Sequence, residues 1–478
     1  MRPEQSSEHE GFRLLGIGTS LAGLAFAGAA SWLLTAISMV WLARKLGAHE
    51  FGLMNMGLAV ASCAVALTAP NLNVWGSRAI VRNEGAVGDV MVAVKVPQIA
   101  LAIAIAATLT IGAYLFLPAK SALVIGICSC TIVSNAMGLQ WVAQGIGKLR
   151  YIAANQLISS LVFFLIVLVA VRSSSDLWGG PVGLAAGQIV AAGALLVIFI
   201  RMGLVGRLHL RFAGLPKGSV PGATYAVTSI TAVINQYGGF IAVSIFSTAT
   251  ALGLYSAAAR IYLTVMLVSA LITTVFFPIL SKYNHTDRRM AGRVVIFWIG
   301  GAALIGGLPA ALLLGAPTYF IDLVLGADYA GAQNLIRLAA IGIFGNLIMT
   351  AYSMAVLAAG NDRAYLTASL VSAGVTLICG ALTAVLGVAA AGAGLAIMDF
   401  ALLICVLPAF RRAYDRMHLS VLFLALGALA AGGVLFSVLH REGIGALTGV
   451  AVGSAGYLVV GGAGALLLIQ AFRKRGLL

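Results

Sequence analysis

A chain of 478 residues in which 61% are hydrophobic and only 9% charged, with a mean hydropathy of +1.04, is not a soluble globular protein, where about a quarter of residues carry charge. The formal net charge of +15 invites a nucleic-acid reading, but the basic residues are scattered between apolar runs rather than gathered on one polar module. Cys63, Cys128, Cys130, Cys379 and Cys405 lie within apolar runs without metal-ligand spacing and read as small buried hydrophobes. The composition describes an all-α polytopic membrane protein with no disulfide framework.

Windows of about 19 residues predict fourteen transmembrane helices. The first six are expected at 14–42, 52–74, 92–117, 121–144, 152–171 and 180–200. The next six are expected at 222–247, 252–280, 292–315, 332–359, 365–387 and 390–410, and the last two at 419–438 and 445–471. The first run is too long for a signal-peptide core and ends in Arg44 and Lys45 rather than a cleavage site, so it is expected to remain as a span. Connecting segments alternate in charge: 22 of the 29 Lys and Arg residues fall on one set and 5 on the other. By the positive-inside rule both termini are cytoplasmic, in a multi-pass protein of the cell inner membrane.

Internal echoes divide the chain. LGAHEFGL at Leu46–Leu53 is answered by TATALGL at Thr248–Leu254, GKLRY at Gly147–Tyr151 by GNDRAY at Gly360–Tyr365, and GLAAGQ at Gly183–Gln188 by GLAIMD at Gly394–Asp399. Common order and offset predict two pseudo-symmetric six-helix lobes, 1–205 and 222–412. A basic cytoplasmic linker at 206–221 joins them, and two extra helices occupy 413–478.

Within the eighth predicted span Arg260 stands ~12 Å along the helix from Leu252, too deep for easy snorkelling and costly against lipid. It must face protein, water or an anionic ligand. Asp399, about ten residues into the twelfth span, is the partner to weigh. Either the two form a structural pair, or Asp399 carries a coupling proton or sodium while Arg260 serves a cargo.

RKLGAHEFGLMNMGLAV after the first span, LGLYSAAARIY with FFPILSKY in the eighth, and AVLAAGNDRAYLTASL after the tenth resemble the polysaccharide flippases. These are the O-antigen and exopolysaccharide repeat-unit transporters of the multidrug/oligosaccharidyl-lipid/polysaccharide superfamily. The resemblance implies two six-helix bundles around a central cavity, which Arg260 and Arg337 against the single Asp399 within the spans would make cationic. It also implies alternating access that moves an undecaprenyl-diphosphate-linked oligosaccharide from the inner to the outer leaflet. Lipid II flippases of the same superfamily are similar around Tyr255–Arg260, which supports Arg260 as an anion-facing residue. They carry charges in the first span where Thr35–Leu42 has none, which points away from a peptidoglycan cargo.

Arginine offers a planar fork to diphosphate oxygens, so Arg260 is the candidate headgroup residue. Arg337, near the start of the tenth span, either snorkels outward, pairs with Asp322 or Asp328, or serves as a second cation at the outer mouth. Arg44 and Lys45 line the exit or anchor the interface; Arg78, Arg82 and Lys95 attract the headgroup on entry or merely set orientation. Amides in apolar runs, Asn55, Asn71, Asn73, Asn135, Gln140, Gln144, Asn155, Gln188, Asn235, Gln236 and Asn346, either bind sugar hydroxyls or bond between helices. Pro70 and Pro278 are candidate bends.

No nucleotide-binding loop, metal-ligand spacing or nucleophile–base constellation stands out, so neither an enzyme nor a cofactor is expected. The partners expected are a polyprenyl-diphosphate-linked glycan, membrane lipids and glycan polymerase or export machinery. A multidrug cation antiporter and a membrane glycan polymerase or ligase are the rival readings. The first calls for an acidic cavity, the second for a large catalytic outer loop.

Overall fold

The structure, a computed structural model, describes residues 4–68, 71–82, 86–205, 223–414 and 418–459. Among these residues there is no strand, and ten helices are long and apolar enough to cross a membrane, with shorter apolar helices beside them. The protein is a polytopic all-α membrane protein. Its chain divides into two compact units, Met1–Leu46 with Leu53–Val227, and Gly47–Gly52 with Thr228–Leu478.

Most of α1 (Glu4–Leu67) belongs to the first unit and carries both of the first two predicted spans, with a break at Gly47, whose φ is 71°, at the start of the six residues assigned to the second unit. It is followed by α2 (Asn71–Val81), α3 (Val87–Phe116), α4 (Ala119–Ala136), α5 (Gln140–Gly145), α6 (Leu149–Ala170) and α7 (Gly179–Arg201). Two predicted spans are interrupted. The 52–74 span stops at Leu67, where Thr68 turns back to bond Val65 O through both its amide and its hydroxyl, and the chain resumes as α2. The 121–144 span is divided by Met137–Leu139 into α4 and α5. Irregular backbone at membrane depth is tolerated only where it is buried in protein or lines a cavity. Pro70 and the basic linker at 206–221 lie outside the described residues.

Helix α3 packs on α4, α6 on α7, and α4 on α7, while the short α2 and α5 lie against each other. Their core includes Ile80, Val94, Val142, Leu195 and Phe199. Ser31 Oγ donates to Gln156 O at 3.0 Å and Trp41 Nε1 to Val171 O at 3.0 Å, which ties α1 to α6 and its end. The turn between α6 and α7 closes on Asp176, whose Oδ2 accepts from the Ser173 hydroxyl at 2.9 Å and from the amides of Ser173 and Arg172 at 3.0 and 3.1 Å. Those bonds, the Ser173 hydroxyl foremost, hold the Asp176 carboxyl below its ordinary range.

The second unit contains α8 (Ala223–Phe246), α9 (Ala249–Thr286), α10 (Arg288–Gly315), α11 (Pro317–Phe320), α12 (Gln333–Ala358), α13 (Asp362–Leu386), α14 (Val388–Ala413) and α15 (His418–Arg441). A shorter apolar helix, α16 (Ala446–Val459), follows, and the rest of the predicted last span lies outside the described residues. The predicted eighth, tenth and twelfth spans are unbroken here, as α9, α12 and α14, and the backbone of α9 stays helical through residue 278. Helix α12 is the centre, packed by α9, α10 and α14, with α15 along α10. The echoed turns share a left-handed glycine, Gly147 at φ 70° and Gly360 at φ 80°. One expectation fails locally: Cys130 is exposed, because it lies on the outward face of α4, while Cys128 is buried.

Candidate functional site

The breaks in the first unit gather its polar side chains. A cavity of about 440 Å³ lies among α1, α2, α4, α5, α6 and α7, a size within the range of small-molecule sites, about 300–1,000 Å³. Seven amides line it, Asn73, Asn135, Gln140, Gln144, Asn155, Gln156 and Gln188. Hydroxyls from Ser31, Thr35, Ser134, Ser159 and Ser160 and the rings of Trp32, Trp141 and Phe163 complete the wall; none of the lining residues is charged.

Local packing explains the convergence. A Cβ on Gly187 would collide with the Ser159 carbonyl oxygen, so α6 and α7 meet at backbone contact and Gln188 comes beside Ser159 and Asn155. Gly76 likewise makes room for the Trp141 ring, which is only 4% exposed. Met137–Leu139 turns the chain so that Asn135 and Gln140, on separate helices, face one space.

Some of these groups are engaged and others are not. Ser134 Oγ donates to Gln188 Oε1 at 2.6 Å. Asn155 Oδ1 and Trp141 Nε1 are buried and make no hydrogen bond among the described residues. An orphan acceptor and an orphan donor each cost about 1–3 kcal/mol, and a ligand with hydroxyl groups can satisfy both.

The second unit holds a polar cluster whose members satisfy one another, although Ser256 Oγ and Asn284 Nδ2 elsewhere in it make no hydrogen bond among the described residues. Tyr262 Oη donates to Asp399 Oδ2 at 2.6 Å. Asn346 Nδ2 donates to Asp399 Oδ1 at 3.3 Å and to Tyr262 Oη at 3.2 Å, while Ser269 Oγ donates to Asn346 Oδ1 at 2.9 Å. Asp399 is 3% exposed.

Of the two alternatives for Asp399, a pair with Arg260 or a separate role, the structure shows Tyr262 and Asn346 on its carboxyl. Helical geometry gives the reason, since residues two apart point roughly 200° apart around the axis. With Tyr262 turned to α14, Arg260 faces the other way, and its guanidinium carbon lies 5.9 Å from the Phe240 ring centroid, a cation–π distance.

The other sequence candidates are dispersed. Gln188 lines the first-unit cavity, whereas Asn235 accepts from Thr376 Oγ1 at 3.2 Å in the second unit. Arg44 and Arg78 are exposed, Arg78 in the last turn of α2. Arg337 is exposed and donates to Asn334 Oδ1 at 3.1 Å, one turn back on its own helix, rather than to Asp322 or Asp328. Lys95 is not an exposed cytoplasmic anchor: α3 begins at Val87, so Lys95 lies two turns inside it and is 7% exposed.

Six of the cavity's amides were already candidates; Gln156, the hydroxyls and the tryptophans were not. Their signal is spacing: Ser31 with Thr35, Gln140 with Gln144, and Asn155 and Gln156 with Ser159 and Ser160 recur at i, i+3 and i+4, a polar stripe on otherwise apolar helices.

Residues 19–284, more than half of the chain, match the family described as polysaccharide biosynthesis protein. Over 356 residues the chain is 20% identical to the "Putative O-antigen transporter" of Escherichia coli (strain K12), a match that covers 73% of this chain and 86% of that protein. Among solved structures, the lipid II flippase MurJ in an inward closed conformation aligns with a TM-score of 0.71 at 14% identity, over 93% of this chain and 99% of that one. An inward-facing multidrug resistance transporter of the MATE family, in the MOP superfamily, aligns with a TM-score of 0.61 at 15% identity, over 81% and 98%. At such identities the likeness is one of fold.

Proposed function

From the premise that the chain belongs to the polysaccharide biosynthesis protein family, we propose that it is a flippase, not an enzyme, that carries a polyprenyl-diphosphate-linked oligosaccharide from the cytoplasmic to the periplasmic leaflet of the inner membrane. The observation that carries the reading is the first-unit cavity, lined by amides, hydroxyls and tryptophans and by no charged residue. Sugars present hydroxyls that donate and accept, and apolar ring faces that stack on aromatics; such a wall suits them. A lipophilic drug cation would call for carboxylates, which the lining lacks.

In this reading the glycan enters the amide cavity during an alternating-access cycle. Arg260 serves the diphosphate, because a guanidinium pairs with phosphate oxygens in a bidentate fork. Asp399 is the coupling group, for a proton or sodium, which it takes up when its bonds to Tyr262 and Asn346 open during the cycle. Both termini are cytoplasmic, and the partners are the lipid-linked glycan, membrane lipids and the machinery that polymerises or exports the product.

Reconstitution in liposomes with a fluorescent polyprenyl-diphosphate oligosaccharide tests the proposal, with leaflet exposure read by a membrane-impermeant quencher. Wild-type protein is expected to flip the glycosylated lipid and to leave polyprenyl diphosphate without sugar largely unmoved. Equal flipping of both lipids, or of neither, sinks the glycan reading. Arg260→Ala is expected to lower the rate at least tenfold, with Arg260→Lys intermediate; an unchanged rate for Arg260→Ala removes Arg260 from the mechanism.

A further inference from the structure

Lys95 stands in the packing behind the amide cavity, and its surroundings are unusual for a lysine. Nζ donates to Gln98 Oε1 at 2.8 Å, to Ala136 O at 2.8 Å and to Asn73 Oδ1 at 3.2 Å. As an ammonium, Nζ carries three N–H donors, one for each of these oxygens. Ala136 is the last residue of α4, where a positive charge also meets the carbonyl end of the helix.

The bond to Asn73 has a chemical consequence on the cavity side. A carboxamide carries its acceptor at one tip and its donors at the other. A lysine can only donate, so Asn73 must turn Oδ1 to Nζ, and Nδ2 is the tip left for the cavity that Asn73 lines. On another wall Gln188 engages its Oε1 with Ser134, which leaves its own Nε2 as a donor.

We infer that Lys95 is a positioning residue that fixes this wall as a hydrogen-bond donor, and that the cavity is a subsite for a sugar bearing an sp² oxygen, the carbonyl of an acetamido group or the carboxylate of a uronate. The inference rests on the glycan reading above. A hydroxyl oxygen also accepts from these donors, but a carbonyl or carboxylate oxygen is the stronger acceptor, and at this wall a protonated amino sugar is opposed by both the donors and the nearby lysine.

The experiment uses the full chain purified in detergent, titrated with the methyl glycosides of N-acetylglucosamine, glucuronate, glucose and glucosamine and read by quenching of tryptophan fluorescence, since Trp32 and Trp141 line the cavity. The acetamido sugar or the uronate is expected to bind about five- to tenfold tighter than glucoside, the advantage of roughly one hydrogen bond, with the glucosaminide weakest. Which of the first two leads identifies the source of the oxygen. Lys95→Met keeps an unbranched apolar side chain but cannot orient Asn73; Asn73→Asp keeps an oxygen for Lys95 but removes the donor. Both are expected to reduce the preference to about twofold or less. Should Lys95→Met fail to fold, Asn73→Asp, which adds a counter-charge to Lys95, decides alone. Wild-type preference retained in the folded variants overturns the role of Lys95 and leaves the glycan reading intact. No preference among the glycosides in wild type overturns the subsite chemistry, and no quenching by any of them overturns the glycan reading with it.

Discussion

The amide cavity of the first unit and the Asp399 cluster of the second use the same kinds of polar residue in opposite ways. In the first, two predicted spans break, and seven amides face a cavity in which an acceptor on Asn155 and a donor on Trp141 find no protein partner. In the second, α9, α12 and α14 run unbroken, and Tyr262, Ser269, Asn346 and Asp399 close on one another. A polar residue in a membrane helix is thus not a site by itself. It becomes one where broken backbone keeps neighbouring helices from satisfying it; where helices pack continuously, it is structural glue.

This contrast is sharpest in stability. Asn346→Ala removes three hydrogen bonds at once and leaves Asp399 buried with one donor fewer, so unfolding in detergent is expected to be easier by about 3 kcal/mol or more. A loss below about 1 kcal/mol breaks the picture of a closed network. Gly187→Val forces α6 from α7 at the Ser159 carbonyl and is expected to cost about 1–3 kcal/mol while reshaping the cavity. Wild-type thermal stability with wild-type flipping argues against the close approach.

Asn135→Ala and Gln144→Ala test the other side. As cavity-lining amides they are expected to change stability by no more than about 0.5 kcal/mol yet to slow glycan flipping severalfold in the liposome assay. Strong destabilisation without a transport defect makes them glue after all. The smallest effect is at the α6–α7 turn. The Asp176 carboxyl is held below its ordinary value of 3.8, so its contribution is complete above that pH and fades as pH falls through the lower folded value. Hydrogen exchange of the Arg172 and Ser173 amides is expected to accelerate relative to neighbouring amides below pH 3.8, after correction for intrinsic rates. In Asp176→Ala the acceleration is present at neutral pH and no longer depends on acidification.

Much of this was legible along the chain. The apolar runs, the echoed turns at Gly147 and Gly360, and the family's motifs needed no coordinates, and Asn73, Asn135, Gln140, Gln144, Asn155 and Gln188 stood out as amides in apolar surroundings. Arg260 and Asp399 stood out too, but whether they pair was left open between two alternatives. Depth along a helix is a sum of residue rises, whereas facing depends on rotation, and Tyr262 rather than Arg260 turns toward α14. Lys95 was read as an orienting charge because a count of loop charges does not register that its helix starts eight residues earlier.

Sequence alone determined the membrane class, the order of the apolar segments and the family, because hydropathy and motif content are local sums that survive any packing. Only the tertiary structure decided which amides form a site and which way they point. Whether a carboxamide is spent on a neighbour, held by an ammonium as Asn73 is by Lys95, or turned to a cavity depends on helix rotation, on a three-residue break at Met137–Leu139, and on contacts between residues as distant in sequence as Ser31 and Gln156.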